Sequence, residues 1–154
     1  MNPVKLSKPT LYTSWILQLV VAFVLLQTIP FKFSGAPETV ALFKAIGAEP
    51  WGRYVVGVFE LVGGVLIIVP KTIWLGALVS GFTMLGAVLT HLFKIGITVK
   101  DAAGQVIFGP DLFIQAAIAM VFSFVVLYLR RNQLIGFLAK RAAKGAVNKL
   151  NPLK

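Results

Sequence analysis

Four long apolar segments dominate the pattern of hydrophobic and polar positions along the chain. They run from about Leu11 to Ile29, Trp51 to Val69, Ile73 to Phe93 and Asp111 to Leu129, and each is long enough to cross a bilayer as a helix. Only residues 70–72 separate the second segment from the third, so these two must form an antiparallel hairpin. The pattern predicts an all-α fold, a bundle of four transmembrane helices.

The polar connections predict smaller elements. Residues 36–47 have the amphipathic spacing of a short helix beginning near Pro37, which we expect in the membrane interface between the first and second spans. Residues 94–110 indicate a loop or a small hairpin. The chain then divides into a four-helix membrane domain, residues 1–129, and a basic cytoplasmic tail, residues 130–154. The tail is either an interfacial helix, with Leu134, Phe137 and Leu138 on its apolar face, or a solvated segment.

Composition supports a membrane protein and excludes several kinds of site. Hydrophobic residues make up 58% of the 154 positions and charged residues 13%, against about 25% charged in soluble domains. The chain has no cysteine and one histidine, so disulfides, thiolate nucleophiles and Cys-ligated metals cannot form within it. With one histidine and no cysteine, we predict no metal site. The chain contains neither GxSxG nor a P-loop, so we assign no catalytic residue.

The net charge of +10 is unevenly distributed, which bears on topology. With four spans, ten Lys and Arg residues fall on the side of the two ends and five on the other side. Because cytoplasmic loops are enriched in Lys and Arg, we expect a bacterial inner membrane protein with both termini in the cytoplasm. The basic side suits an anionic inner leaflet better than nucleic acid, for which no recognition motif occurs.

One acid, Glu60, interrupts the second span, where an unpaired carboxylate costs about 3 kcal/mol or more. Gly57 and Gly64 share its helix face, so this face should point into the bundle. Two roles remain open for Glu60, a functional proton site or a hydrogen-bonded packing group between helices. If the carboxylate is ionised, Arg53 on the same face is the partner we expect.

Polar groups from all four spans fall in one half of the bundle, the half away from the termini. At 1.5 Å per residue, Gln27, His91 and Gln115 lie within about one turn of the outer surface, and Glu60 lies about two turns deeper. We therefore predict an outward-opening polar pocket. Its ligand-binding residues are Glu60, His91, Gln27 and Gln115, with Arg53 and Lys32 at its mouth.

Four segments carry a family resemblance: PFKFSG at 30–35, EPWGR at 49–53, ELVGGVLIIVP at 60–70 and GALVSGFTMLGAVLTHL at 76–92. They resemble the DoxX and DoxX-like integral membrane proteins, a four-helix family. The resemblance covers about residues 14–129, and the placement of Glu60 and His91 gives it most of its specificity. Many members have an arginine in the first helix, where this chain has Trp15 and Gln18.

The family takes its name from a subunit of a thiosulfate:quinone oxidoreductase, so the resemblance implies an accessory or ligand-binding subunit of a membrane redox system. The pocket would hold a quinone or an isoprenoid-like lipid, with Glu60 exchanging a proton and His91 hydrogen-bonded to a ring carbonyl. We expect no intrinsic cofactor and at most a subunit of a quinone-linked oxidoreductase. Two alternatives stay open: a structural or assembly partner in a larger membrane complex, or a small-solute or proton permease acting as a homo-oligomer.

Overall fold

The computed structural model describes residues 7–100 and 104–150, without the side chains of residues 144–150. Its helices are α1 (Lys8–Leu26), α2 (Ile29–Ser34), α3 (Pro37–Ala45), α4 (Trp51–Ile68), α5 (Ile73–Thr90), α6 (Asp111–Leu129) and α7 (Arg131–Leu150). A π-helical turn, His91–Ile95, extends α5, and a short antiparallel hairpin pairs β1 (Val99–Lys100) with β2 (Val106–Phe108).

Four helical segments of the described chain are long and apolar enough to span a membrane: Lys8–Ser34, Trp51–Ile68, Ile73–Ile95 and Asp111–Leu129. Large apolar side chains such as Phe23, Val58 and Phe82 are exposed on their outer faces, where lipid would cover them. The predicted all-α bundle of four transmembrane helices is therefore confirmed, and the protein is a multi-pass membrane protein.

The spans form a ring in which α4 packs between α1 and α5, and α6 packs between α5 and α1. The closest approach is between α4 and α5, where a Cβ added at Gly76 would overlap the backbone nitrogen of Ile67. Further along the same pair, a Cβ added at Gly63 would lie 2.6 Å from the Ser80 hydroxyl oxygen. The residue number decreases along α4, from 67 to 63, as it increases along α5, from 76 to 80. The two helices are therefore antiparallel, as predicted.

The first span is longer than predicted, because the chain remains helical beyond Ile29 as far as Ser34. Pro30 lies in the first turn of α2, where its missing N–H removes no helical hydrogen bond, so it starts a new helix instead of ending the span. Gly35 follows with a left-handed backbone, φ 73°, and ends α2. The added turns carry Lys32, whose side chain is buried.

The connecting elements follow the predicted plan. The short helix expected between the first two spans is α3, and the polar segment before the fourth span contains the β1–β2 hairpin. The tail is helical, as α7, and the division into domain and tail remains a prediction. Of the charges counted for the topology, Lys5, Asp101 and Lys154 lie outside the described residues.

Candidate functional site

A cavity of about 640 Å³ lies in the half of the bundle nearest α2, α3 and the β-hairpin, the end we call the hairpin side. This volume is in the range of pockets that hold small molecules. Its walls are mostly apolar and come from all of α1 to α6 and the π-helical turn. The polar side chains that line it are Thr28, Lys32, Glu60, Thr83, Thr90, His91 and Gln115.

The cavity reaches the outer, lipid-facing surface of α4 and α5. Phe59 of α4 and Phe82 of α5 both line it and are 50% and 59% exposed on the outer surface. A Cβ added at Gly86, a third lining residue, would meet no atom within 4 Å. The end that we predicted to be open is covered by α3, which contributes Leu42 and Phe43 to the lining. The side of the cavity formed by α4 and α5 would therefore lie next to the acyl chains of the bilayer.

An ion pair lies in the wall of this cavity. Lys32 Nζ is 2.7 Å from Glu60 Oε2, and the two side chains are only 11% and 6% exposed. The Thr28 hydroxyl donates to the same carboxylate oxygen at 3.0 Å, and Lys32 Nζ also donates to Thr28 Oγ1 at 3.0 Å. Gly57 lets α2 approach, since a Cβ there would lie only 3.0 Å from Phe33 Cε2 and would also touch Lys32 Cβ at 3.6 Å. The partner of Glu60 is thus Lys32. The sequence had led us to expect Arg53 instead, and that expectation was wrong.

His91 begins the π-helical turn and is 4% exposed. Its Nδ1 lies 2.8 Å from the carbonyl oxygen of Gly96, which can only accept, so Nδ1 carries the proton and donates. The ring also meets Phe113 edge to face, with centroids 5.7 Å apart. In the neutral ring Nε2 is then an acceptor, and no described residue donates to it. A neutral His91 in this tautomer accepts a hydrogen bond and cannot donate to a ring carbonyl.

The two predicted glutamines meet each other. Gln27 Nε2 donates to Gln115 Oε1 at 2.8 Å, which joins the end of α1 to α6. Both side chains are partly buried, and Gln115 lines the cavity while Gln27 is outside its lining. The structure therefore brings Glu60, His91 and Gln115 to one cavity and places Gln27 behind it.

Arg53 is outside the cavity lining, which differs from its predicted position at the mouth. It is 5% exposed, and its Nε lies 3.0 and 3.1 Å from the two carboxylate oxygens of Glu49. Its Nη1 donates to the backbone carbonyl of Lys32. Gly35 is beside the guanidinium, where an added Cβ would be 3.7 Å from Nη1. Arg53 thus connects α4 to α2 and to the loop before α4, and its donors are used in doing so.

Sequence reasoning missed Thr28 and misplaced Lys32. The available signal was their spacing: positions 28 and 32 are i and i+4, so they share a face if the helical structure continues past Pro30. Together with Glu60 and His91 they give the cavity an ammonium donor, a carboxylate acceptor and an imidazole acceptor, with the Thr28 hydroxyl already donating to Glu60. Such a set can bind a small polar group at the end of an apolar molecule.

A second buried polar cluster lies at the opposite end, the tail side, where residues 70–72 and α7 are found. Ser14 Oγ is 2.7 Å from Gln18 Nε2 and 2.9 Å from Arg130 Nε, so one hydroxyl accepts from both side chains. Arg130, counted above among the tail charges, is only 9% exposed, and burial lowers the pKa of its guanidinium below the ordinary value. This cluster connects α1 to the end of α6.

Comparison with known proteins places the chain among relatives. No solved structure matches it. A protein of Bacillus subtilis (strain 168) named "Putative oxidoreductase CatD" is 32% identical over 63 residues, which are 41% of this chain and 47% of that protein. The matched segment therefore spans about half the length of that relative.

The family model of DoxX matches residues 14–93, just over half of the 154 positions. The matched region runs from α1 to the π-helical turn after α5, so it contains Lys32, Glu60 and His91. Both the fold and this match agree with the resemblance in the sequence. The chain belongs to the DoxX family.

Proposed function

We propose that the protein is an accessory, ligand-binding subunit of a membrane redox system and that its cavity binds the headgroup of a quinone or quinol. The observation that carries this proposal is the placement of Lys32, Thr28, Glu60 and His91 in a mostly apolar cavity that reaches the lipid-facing surface of the bundle. A ligand with a small polar ring and a long isoprenoid tail matches both parts of that cavity. The oxidoreductase name of the Bacillus relative supports the redox setting.

The polar groups suit both redox forms of such a ring. The Lys32 ammonium has three N–H groups, of which Glu60 and Thr28 accept two, so the third can donate to a quinone carbonyl. His91 Nε2 can accept from a quinol hydroxyl. Oxidation of a quinol to a quinone releases two protons and two electrons. Glu60 and His91 are the groups placed to take up protons, while the electrons pass to a partner protein, because the chain supplies no redox centre.

The proposed setting is a bacterial inner membrane with both termini in the cytoplasm. The support is the excess of Lys and Arg on the side of α7 and residues 70–72. In that orientation the cavity lies in the outer leaflet half, and the ion pair of Lys32 and Glu60 is reached from the lipid and not from the cytoplasm.

A second candidate, an assembly partner in a larger membrane complex, is favoured by one observation. The Glu60 oxygen that faces Lys32 already has two partners, the Lys32 ammonium and the Thr28 hydroxyl. A carboxylate satisfied in this way can act purely as a link between α2 and α4. In this alternative the cavity is filled by lipid acyl chains and has no specific ligand.

Equilibrium binding of radiolabelled decylubiquinone to the full chain in nanodiscs tests the two candidates. Gly86→Leu adds a side chain in the open space of the cavity, so it should lower quinone affinity at least several-fold. Gly136→Leu is the matched control, since a Cβ at Gly136 also meets nothing within 4 Å but is placed on α7. Equal affinity of both variants, or no saturable binding by the unmodified chain, would refute the quinone proposal and favour the assembly role.

A further inference from the structure

One face of α7 is attached to the tail side of the bundle. The Gln133 side-chain amide donates to the carbonyl of Pro70 at 3.0 Å, and the Phe137 ring lies 5.2 Å from the Trp74 ring, centroid to centroid. Positions 133 and 137 are i and i+4 and therefore share a face. The sequence had grouped Phe137 with Leu138 on one apolar face. Of these two, it is Phe137 that contacts Trp74 of the bundle.

A second apolar face of α7 is exposed. Ile135 and Leu138 are 56% and 54% exposed, and Ala142, one turn further, is also exposed. Their spacing of three and four residues places them in one stripe, rotated by roughly 100–180° from the residues of the attached face at about 100° per residue. This stripe, Ile135, Leu138 and Ala142, is called the free stripe.

The charges of the tail complement an anionic surface. Residues 130–154 contain seven Lys and Arg and no acid. Lys140 and Arg141 are exposed, and by helical register Lys140 falls on the side of α7 opposite the free stripe while Arg141 falls about 90° from it. An apolar stripe backed by cations is the pattern of helices that lie in the headgroup region of anionic bilayers.

The position of α7 places the free stripe at the membrane boundary. The fourth span ends at Leu129 and α7 begins at Arg131, so the helix starts where the hydrocarbon ends. Its contacts, Pro70 and Trp74, belong to the end of the bundle at the same boundary. Exposure of two large aliphatic side chains to water is unfavourable, whereas acyl chains at this boundary would cover them.

We propose that α7 lies flat on the anionic leaflet of the membrane that the protein spans, with the free stripe inserted among the acyl chains and its cations at the lipid phosphates. The occupant of this surface is anionic phospholipid. The interaction uses residues outside the quinone cavity and is independent of what that cavity binds.

The test uses single cysteines, since the chain has none of its own. The full chain, labelled with NBD at Leu138→Cys or Gly136→Cys, is placed in nanodiscs of phosphatidylcholine alone or mixed with phosphatidylglycerol. Gly136 is the control because it is exposed and lies off the free stripe. In the anionic discs we expect quenching by aqueous iodide to be several-fold weaker at position 138 than at 136, and quenching by shallow doxyl lipids to be stronger at 138.

A charge variant separates lipid binding from simple helix packing. Lys140→Gln with Arg141→Gln should weaken the protection at position 138 in anionic discs, by about fivefold per charge removed, and 0.5 M salt should act in the same direction. Equal iodide quenching at both positions in both kinds of disc would overturn the proposal. Disulfide cross-linking of Leu138→Cys between two copies, without doxyl quenching, would also overturn it and assign the stripe to a dimer.

Discussion

Lys32 and Glu60 are joined inside the bundle, with Nζ and Oε2 only 2.7 Å apart, although one belongs to the short helix α2 and the other is the tenth residue of α4. Neither charge is free to reach water, since the side chains are 11% and 6% exposed. Each ion therefore compensates the desolvation of the other, and Thr28 shares in the arrangement through two hydrogen bonds.

Removing one charge of this pair should be strongly destabilising. Glu60→Gln leaves the buried Lys32 ammonium without a counter-charge, and we expect a loss of about 3–5 kcal/mol in the free energy of unfolding. Denaturant unfolding of the purified protein in detergent micelles measures it. Glu38→Gln, at an exposed acid of α3, is the control and should change stability by about 0.5 kcal/mol or less.

The double variant Lys32→Met with Glu60→Met should recover much of that loss, because a matched apolar pair leaves no charge uncompensated. A single Glu60→Gln variant as stable as the unmodified protein would contradict the ion pair and favour a protonated Glu60.

The closest contact between α4 and α5 predicts a contrast between two glycines of α5. Gly76→Ala forces a methyl group against the Ile67 backbone, so the two helices must separate, at a cost of about 2–4 kcal/mol. Gly86→Ala adds a methyl group in open space and should be neutral or slightly stabilising, because alanine favours a helix. Equal stability of the two variants would argue against this packing of the hairpin.

We expect Ser14 to stabilise the tail side of the bundle through its two hydrogen bonds. Ser14→Ala removes the acceptor of both Gln18 and Arg130, so two buried donors lose their partner and stability should fall by about 2–4 kcal/mol. Ser123→Ala is the matched control, since that buried hydroxyl bonds only to the Ala119 carbonyl of its own helix. Thermal unfolding in detergent compares them, and a larger effect at Ser123 would contradict the assignment.

The topology can be checked with an impermeant maleimide. Val106→Cys in the hairpin, 59% exposed, should be labelled in intact cells from which any outer membrane has been removed. Ala143→Cys in α7 should be labelled only after the membrane is opened, because the basic side is expected in the cytoplasm. The reverse pattern would place the cavity in the inner leaflet half.

The sequence by itself determined the number and order of the spans, the bounds of the second, third and fourth to within about two residues, and the interior position of Glu60 and His91. These features are local, because a helix satisfies its backbone within one segment and the length of an apolar run decides whether it can cross a bilayer. The burial of Glu60 followed from the cost of exposing a carboxylate to lipid, whatever its partner.

Only the tertiary structure decided which polar groups meet. Arg53 was the expected partner of Glu60, yet a position seven residues away on the same helix lies about 10 Å along the axis, and Arg53 turns to Glu49 instead. The pairing of Glu60 with Lys32 depends on α2 continuing past Pro30 and on the rotation of α1 and α2 against α4. Rotation and tilt are set by side-chain packing between distant segments, which hydrophobic periodicity specifies only to within a broad face.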